Sequence, residues 1–392
     1  MLKNSIWLVC LVSLISSCQK DTLESLQVPV TVEQKVRSYY NTSYELSKST
    51  IWIDYYKVLE ENNIDFRTTA YGCPEVIADF DGDGFEDWMA APSLYENAGG
   101  YGDLPLEFFK NQGDNETFKL TPFDIEGEVG TFNARKGLLG DFNNDGKPDV
   151  AYPEQGIDMW PTEGTTPTLL ISTDTGYELI NLSESKHYLH TGASGDIDND
   201  GDLDIIMSSQ HSRLTFLNSG DGTFVETDII KLPPETSHQG FVTVELFDLN
   251  NDGYLDLIGG GDENNLQSRV YFGNGVDFTY ERSKILPFTA PWEGTVDFDF
   301  ADINKDGHIE IIAGRYKNVY EGYYIDIIST KDYQIIDNIT DNTLADKLRW
   351  AIWIRVQDID KNGNIDIIST DKGNLSLGFP RWEWNGLKFT IK

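Results

Sequence analysis

The segment Asp196–Met207 reads D-I-D-N-D-G-D-L-D-I-I-M, with five acids in nine residues running straight into an apolar stretch. Carboxylates packed that closely repel one another unless a cation sits among them. Oxygen side chains at positions 1, 3, 5 and 9 suit Ca2+, a hard ion that takes six to eight oxygens in irregular geometry. Glycine at position 6 permits the tight turn. The pattern occurs six times. Its candidate metal ligands are Asp79, Asp81, Asp83 and Asp87, then Asp141, Asn143, Asp145 and Asp149, then Asp196, Asp198, Asp200 and Asp204. The later copies offer Asp248, Asn250, Asp252 and Asp256, then Asp302, Asn304, Asp306 and Glu310, then Asp358, Asp360, Asn362 and Asp366. Up to six calcium ions are therefore expected. Glu310 and Asn362 depart from the pattern, so the fifth and sixth loops are expected to bind more weakly.

These are not EF-hands. An EF-hand loop closes with a bidentate glutamate at position 12 and lies between helices. Position 12 here is Ala90, Tyr152, Met207, Gly259, Ala313 or Ser369. The flanks, such as I-E-I-I-A-G and I-D-I-I-S-T, are short and β-branched and read as strands. Hairpin signals follow at residues 108–118, 169–179, 216–224, 270–278, 324–335 and 377–389. Successive motifs start 62, 55, 52, 54 and 56 residues apart, the period of a repeat architecture. Four strands per repeat predict an all-β, β-propeller fold. Six blades are expected, with seven as the alternative if residues 19–70 add a partial blade; an open solenoid usually has shorter repeats.

From Cys73 onward the chain resembles the FG-GAP or VCBS repeats of integrin-type propellers. In that family a D-x-D-x-D-G-x-x-D loop joins the first and second strands of each blade and binds calcium, and the first strand is innermost. The resemblance implies that a second functional face lies opposite the loops, where strand 1 starts and strand 2 ends.

The bulk numbers agree with a folded, calcium-loaded protein. The 392-residue chain carries a formal charge of −35, yet 12% of it is aromatic, which a disordered acidic tail would not be. Six Ca2+ would offset about a third of that charge. Such acidity disfavours nucleic acid and anionic membrane as partners. The N-terminus has Lys3, a short apolar run over 6–15 and then L-I-S-S-C ending at Cys18. The run is too short to span a bilayer. It resembles the lipobox of bacterial lipoproteins, which implies removal of residues 1–17, lipidation at Cys18 and location in the cell envelope at the outer membrane. Cys10 leaves with the signal and Cys73 remains alone, so no intramolecular disulfide is expected. Residues 18–70 then form the lipidated cysteine, a tether and a helical segment, and 71–392 the propeller. Trp52, Tyr55, Tyr56 and Leu59 fall at helical spacing, with Ser49 or Thr50 as cap, and a second helix is plausible over 32–40.

The face opposite the loops collects chemistry. Four of the five histidines fall there, His187, His190, His211 and His238, together with Tyr188. Antiparallel pairing about the third loop places His190 nearly opposite His211, and pairing about the second places Arg135 opposite Glu154. The catalytic candidates are His190, His211, His238, Tyr316, Arg315 and Arg135. The substrate-binding candidates are Trp292, Trp350, Arg349, Lys317, Gln210 and Glu154. Arginine neutralises a carboxylate, histidine serves as a base near neutral pH, and tyrosine or a second histidine protonates a leaving oxygen. That set suits β-elimination across a uronic acid by a polysaccharide lyase or oligosaccharide dehydratase, and the arrangement is similar to that of propeller-fold polysaccharide lyases. The partner would then be an acidic polysaccharide or oligosaccharide, handled by a monomer.

Other readings stay open. The tryptophans could stack on sugars in a lectin without chemistry, the repeats could serve adhesion or scaffolding, and Glu154, Glu293 and Asp262 could form a hydrolase pair. Three histidines could also hold zinc. Each of these residues has an ordinary structural role open to it, as wall, loop or ion pair.

Overall fold

The computed structural model describes residues 53, 55–64, 69–72, 76–94, 102–157, 163–234, 236, 239–289, 293–317, 323–340, 351–371 and 381–392. All of them belong to one compact unit, Thr42–Lys392. The unit is a six-bladed β-propeller, and each blade is an antiparallel four-stranded meander. Blade 1 runs Ile77–Ala78, Asp87–Leu94, Glu107–Asn111 and Phe118–Thr121, with Thr69–Gly72 added beside its second strand. Blade 2 runs Leu138–Gly140, Asp149–Tyr152, Thr168–Ser172 and Tyr177–Asn181. Blade 3 runs Thr191–Gly195, Asp204–Ser208, Arg213–Asn218 and Phe224–Thr227. Blade 4 runs Thr243–Phe247, Asp256–Gly260, Arg269–Tyr271 and Ser283–Ile285. Blade 5 runs Glu293–Ala301, Glu310–Lys317, Tyr323–Ser329 and Ile335–Thr340, and blade 6 Ala351–Gln357, Asp366–Asp371, Arg381–Trp384 and Phe389–Ile391.

The second strand of each blade reads apolar throughout because both of its faces are covered. Ile205, Ile206 and Met207 are all buried, as are Ile311, Ile312 and Ala313. Alternate side chains then feed two different inter-blade layers. Met207 packs with Leu138 and Ala151 of blade 2, whereas Ile206 packs with Val244 and Leu257 of blade 4. Similar layers join blades 1 and 2, 4 and 5, and 5 and 6. Burial of this kind, at ~25 cal/mol per Å2 of apolar area, is the main force holding the blades together.

An innermost strand exposes an unpaired edge that needs partners. Ser194 donates to the Leu139 carbonyl at 3.1 Å, and Asp297 and Asp299 accept the amides of Ile354 and Val356 at 2.8 and 2.6 Å. Lys136 reaches from blade 2 to Glu245 on the first strand of blade 4 and donates to the Val244 carbonyl at 3.3 Å. Polar side chains thus couple the inner strands.

Two expectations are adjusted. The predicted hairpin over 270–278 does not supply the outer strand of blade 4. Phe278–Thr279 instead pairs in parallel with Ile230–Lys231 of the connector from blade 3, and Ser283–Ile285 completes the blade. The helix predicted around Trp52–Leu59 occupies Tyr55–Glu61, and its Val58 and Leu59 pack with Ile77, Trp88, Phe109 and Phe118 of blade 1. The helix expected over 32–40, the Ser49 or Thr50 cap of the later helix, Cys18 and Cys73 lie outside the described residues. Among the described residues no helix is long and apolar enough to cross a membrane.

Candidate functional site

All six acidic loops join the first and second strands of their blades, and they share one backbone plan. Position 4 is left-handed, from Gly82 at φ 74° through Asn144, Asn199 and Asn251 at 57–63° to Lys305 and Lys361 at 60° and 58°. Position 6 is glycine at φ 84–100° in every copy, a conformation other residues rarely adopt. The first aspartate anchors the turn, its two oxygens accepting the amides of positions 5 and 6. For Asp196 these bonds come from Asp200 and Gly201 at 3.0 and 3.1 Å, and for Asp358 from Asn362 and Gly363 at 2.9 and 2.7 Å.

The ninth position is fully buried in every loop, at Asp87, Asp149, Asp204, Asp256, Glu310 and Asp366. Its carboxylate ties loop to blade: Asp204 accepts Ile197 N at 2.9 Å and Asn218 N on the third strand at 2.9 Å. Burial, with neighbouring loop carboxylates adding to it, raises Asp87 and Asp149 to about 6 and Asp204, Asp256 and Glu310 to about 7. In three loops, Asp79/Asp81/Asp87, Asp196/Asp198/Asp204 and Asp358/Asp360/Asp366, one oxygen of each residue lies within 4.8 Å of the others. Ligands on opposite sides of a Ca2+ ion stand about 4.6–5.2 Å apart, so the spacing fits. The buried Asp198 Oδ1 has no hydrogen-bond partner, as a metal ligand would not.

The opposite face holds the second cluster. His190 precedes the first strand of blade 3, and His211 follows the second. The strands pair Thr191 with Ser208, so the two histidines are staggered rather than directly opposed. They meet around Tyr188, whose ring lies 5.4 Å from His190 and 5.8 Å from His211. The Gln155 amide donates to the Tyr188 hydroxyl. Buried Ser209 donates to the Tyr188 carbonyl at 2.6 Å and accepts the His211 amide at 3.1 Å, fixing the turn that presents His211 to solvent. Gln210 is half-buried, with its side-chain oxygen enclosed and unpartnered, and its carbonyl accepts Gln239 N at 3.1 Å. Burial lowers the pKa of nearby His187. Sequence reading placed Tyr188 on this face without assigning it a role and missed Gln155; H-Y-L-H at 187–190 was the available signal.

Other candidates land elsewhere. Glu154 is 1% exposed and bridges Ala134, not Arg135. Its oxygens accept Phe132 N at 2.7 Å and the Thr168 hydroxyl at 2.6 Å, and burial raises it to about 8, so it is largely a neutral acid inside blade 2. Arg135 is half-buried. Tyr316 is half-buried on blade 5 opposite Gly294, where a Cβ would meet the phenol at 2.5 Å. The side chain of Lys317 and the whole of His238, Trp292, Arg349 and Trp350 lie outside the described residues, so the proposed zinc trio and the aromatic wall do too.

The repeats can now be compared with known proteins. A family model described as an FG-GAP-like repeat matches residues 79–152, 196–259 and 248–313, each match starting on the first aspartate of a loop. These are FG-GAP-like repeats. No curated protein matches the sequence. Among solved structures, an Agrocybe aegerita lectin that recognises non-reducing terminal N-acetylglucosamine is 18% identical, with a TM-score of 0.53, over 83% of this chain and 79% of its own. The Vibrio cholerae biofilm matrix protein Bap1 is 12% identical, with a TM-score of 0.36, over 70% of this chain and 39% of its own. A Bacillus licheniformis rhamnogalacturonan lyase is 15% identical, with a TM-score of 0.41, over 83% of this chain and 64% of its own. The chain spans less than two thirds of the latter two. At 18% identity the likeness to the lectin is one of fold alone.

Arg315 is the clearest relocation within the FG-GAP-like blades. It was expected to face substrate and is instead 0% exposed. Its guanidinium contacts Glu263 at 2.8 Å and Asp326 at 3.2 Å and donates to the Pro287 carbonyl at 3.0 Å. Strand alternation is the reason: Arg315 and Tyr316 are consecutive on one strand and point to opposite faces. Replacing Arg315 with methionine strands two buried carboxylates. Chemical denaturation is expected to show a loss of about 3–5 kcal/mol.

Proposed function

We propose that the protein acts on uronic-acid-containing polysaccharide or oligosaccharide by β-elimination, as a lyase or dehydratase, in the pocket around Tyr188. The carrying observation is the packing of His190 and His211 about one buried phenol. One imidazole removes the proton next to the sugar carboxylate, the C=C bond forms as the neighbouring C–O bond breaks, and the other imidazole protonates the departing oxygen. Arg135 neutralises the carboxylate in this scheme, Tyr316 assists from blade 5, and half-buried Gln210 lines the site beside His211. Calcium in the loops has a structural part only. The same proposal places the protein at the outer membrane of a bacterial envelope, anchored through lipidated Cys18.

Glycan binding without chemistry is the second reading. It is favoured by the loss of Arg315 to the interior, which removes one of the two expected carboxylate clamps. Ultraviolet absorbance separates the two, because elimination across a uronic acid creates a conjugated double bond. The full chain in mild detergent, mixed with a panel of uronic-acid polysaccharides and their oligosaccharides, is expected to give rising absorbance. A flat trace with calorimetric binding supports the lectin reading. A flat trace without binding removes both.

A further inference from the structure

The six loops are not equivalent, because two of them receive a cation from the third strand of their own blade, whereas the second has only its own exposed Lys147, 3.5 Å from Asp145 and bonded to the Thr173 carbonyl. In blade 1, Lys110 on the third strand contacts Asp81 and lies 2.8 Å from Asp83. In blade 6, Arg381 on the third strand lies 2.6 Å from Asp360 and 2.9 Å from buried Asp366. These acids occupy positions 3, 5 and 9, the positions that would ligate calcium. A guanidinium or ammonium held there competes with the ion both for charge and for the lone pairs it needs.

Strand register explains why only these blades do this from the third strand. The residue facing position 9 across the second and third strands is Lys110 in blade 1 by extension of the Trp88–Phe109 pairing, and Glu383 in blade 6. Arg381 stands two residues along, on the same side of its strand. In blades 2 to 5 the corresponding pairs of positions hold Ile171 and Leu169, Leu217 and Thr215, Phe272 and Val270, and Ser329 and Ile327. None of these can deliver a cation. Blade 6 has also given up a charge in its loop, with Asn362 at position 5 donating to Glu383 at 2.6 Å. The third loop is the contrast: its Asp196, Asp198 and Asp204 converge as closely as the triads of the first and last loops, yet among the described residues no base lies against them.

We infer that Lys110 and Arg381 are built-in substitutes for calcium, so that the first and last blades close their loops without metal and calcium loads the loops of blades 2 to 5. The propeller is then stabilised by two kinds of cation, one exchangeable and one covalently part of the chain.

The test is a count. The full chain in mild detergent is dialysed to equilibrium with saturating Ca2+ in about 0.15 M KCl, which screens diffuse binding to the acidic surface. Bound calcium per chain is read by atomic emission. Wild type is expected to hold at most about four ions, with Lys110→Met and Arg381→Met each gaining one. The reverse variant, Leu217→Lys, sets a base opposite Asp204 and is expected to lose one. A wild-type count of five or six overturns the inference whatever the variants do. So does a lower count that neither methionine variant raises. Should either methionine variant fail to fold, the wild-type count and Leu217→Lys still decide: a lysine at 217 that leaves the count unchanged overturns it.

Discussion

Calcium-free protein at neutral pH is expected to melt ~10–20 °C below the calcium-loaded form. A ligand at about a hundred times its dissociation constant contributes ~2.7 kcal/mol per site, so several filled loops add up to roughly 10 kcal/mol. In a chain of this size one kcal/mol moves the melting temperature by about 2 °C or less. The pH dependence has a definite sign. The buried ninth-position acids have folded pKa values of about 6 to 7, above the ordinary carboxylate value. The metal-free folded state therefore binds more protons than the unfolded chain, and its stability falls as pH rises from about 4 through about 7. Without calcium the protein should melt higher at pH 5 than at pH 8. With calcium most of that loss disappears, since the ion takes the place of the protons in the loops it loads. Melting curves at both pH values, with and without calcium, check both statements. Coincident curves would mean that the loops do not bind the ion.

The fold was legible because its signals are local and repeated. A nine-residue turn fixes six glycines in left-handed backbone, and each turn is followed by an apolar strand with both faces covered. Nothing distant has to be known to read that. The histidine cluster was legible only as a region. Pairing about the third loop gave the neighbourhood of His190 and His211, but the contact that joins them is Tyr188, and a side chain's partner depends on rotamer and neighbouring blade. Arg315 shows the harder limit. Its place at the end of a second strand suggested a pocket residue, and strand alternation by one position turns it instead toward Glu263 and Asp326. Glu263 follows no motif, and it lies 52 residues from Arg315 in sequence. Likewise, nothing in the loop motif announces Lys110 or Arg381, whose effect depends on the register of the third strand.

Alanine at His211 is expected to lower kcat for elimination by about 10²–10⁴-fold, with KM, melting temperature and calcium count little changed. The imidazole is exposed, so its removal opens no cavity and leaves the Ser209 bonds to Tyr188 O and His211 N in place. His190→Ala should cost turnover similarly, with some stability lost because His190 is half-buried against the same ring. The two losses should not add, because a base and an acid that work on one substrate fail together. Tyr188→Phe keeps the ring that spaces the histidines and removes only the hydroxyl that accepts from Gln155. If that phenol merely positions them, the loss stays near tenfold. If it is itself the acid at the leaving oxygen, the loss matches that of the histidines, and His190 is reduced to a packing partner. Turnover at the wild-type rate in both histidine variants would remove this pocket from the reaction. Arg135 and Tyr316 would then be the next residues to replace.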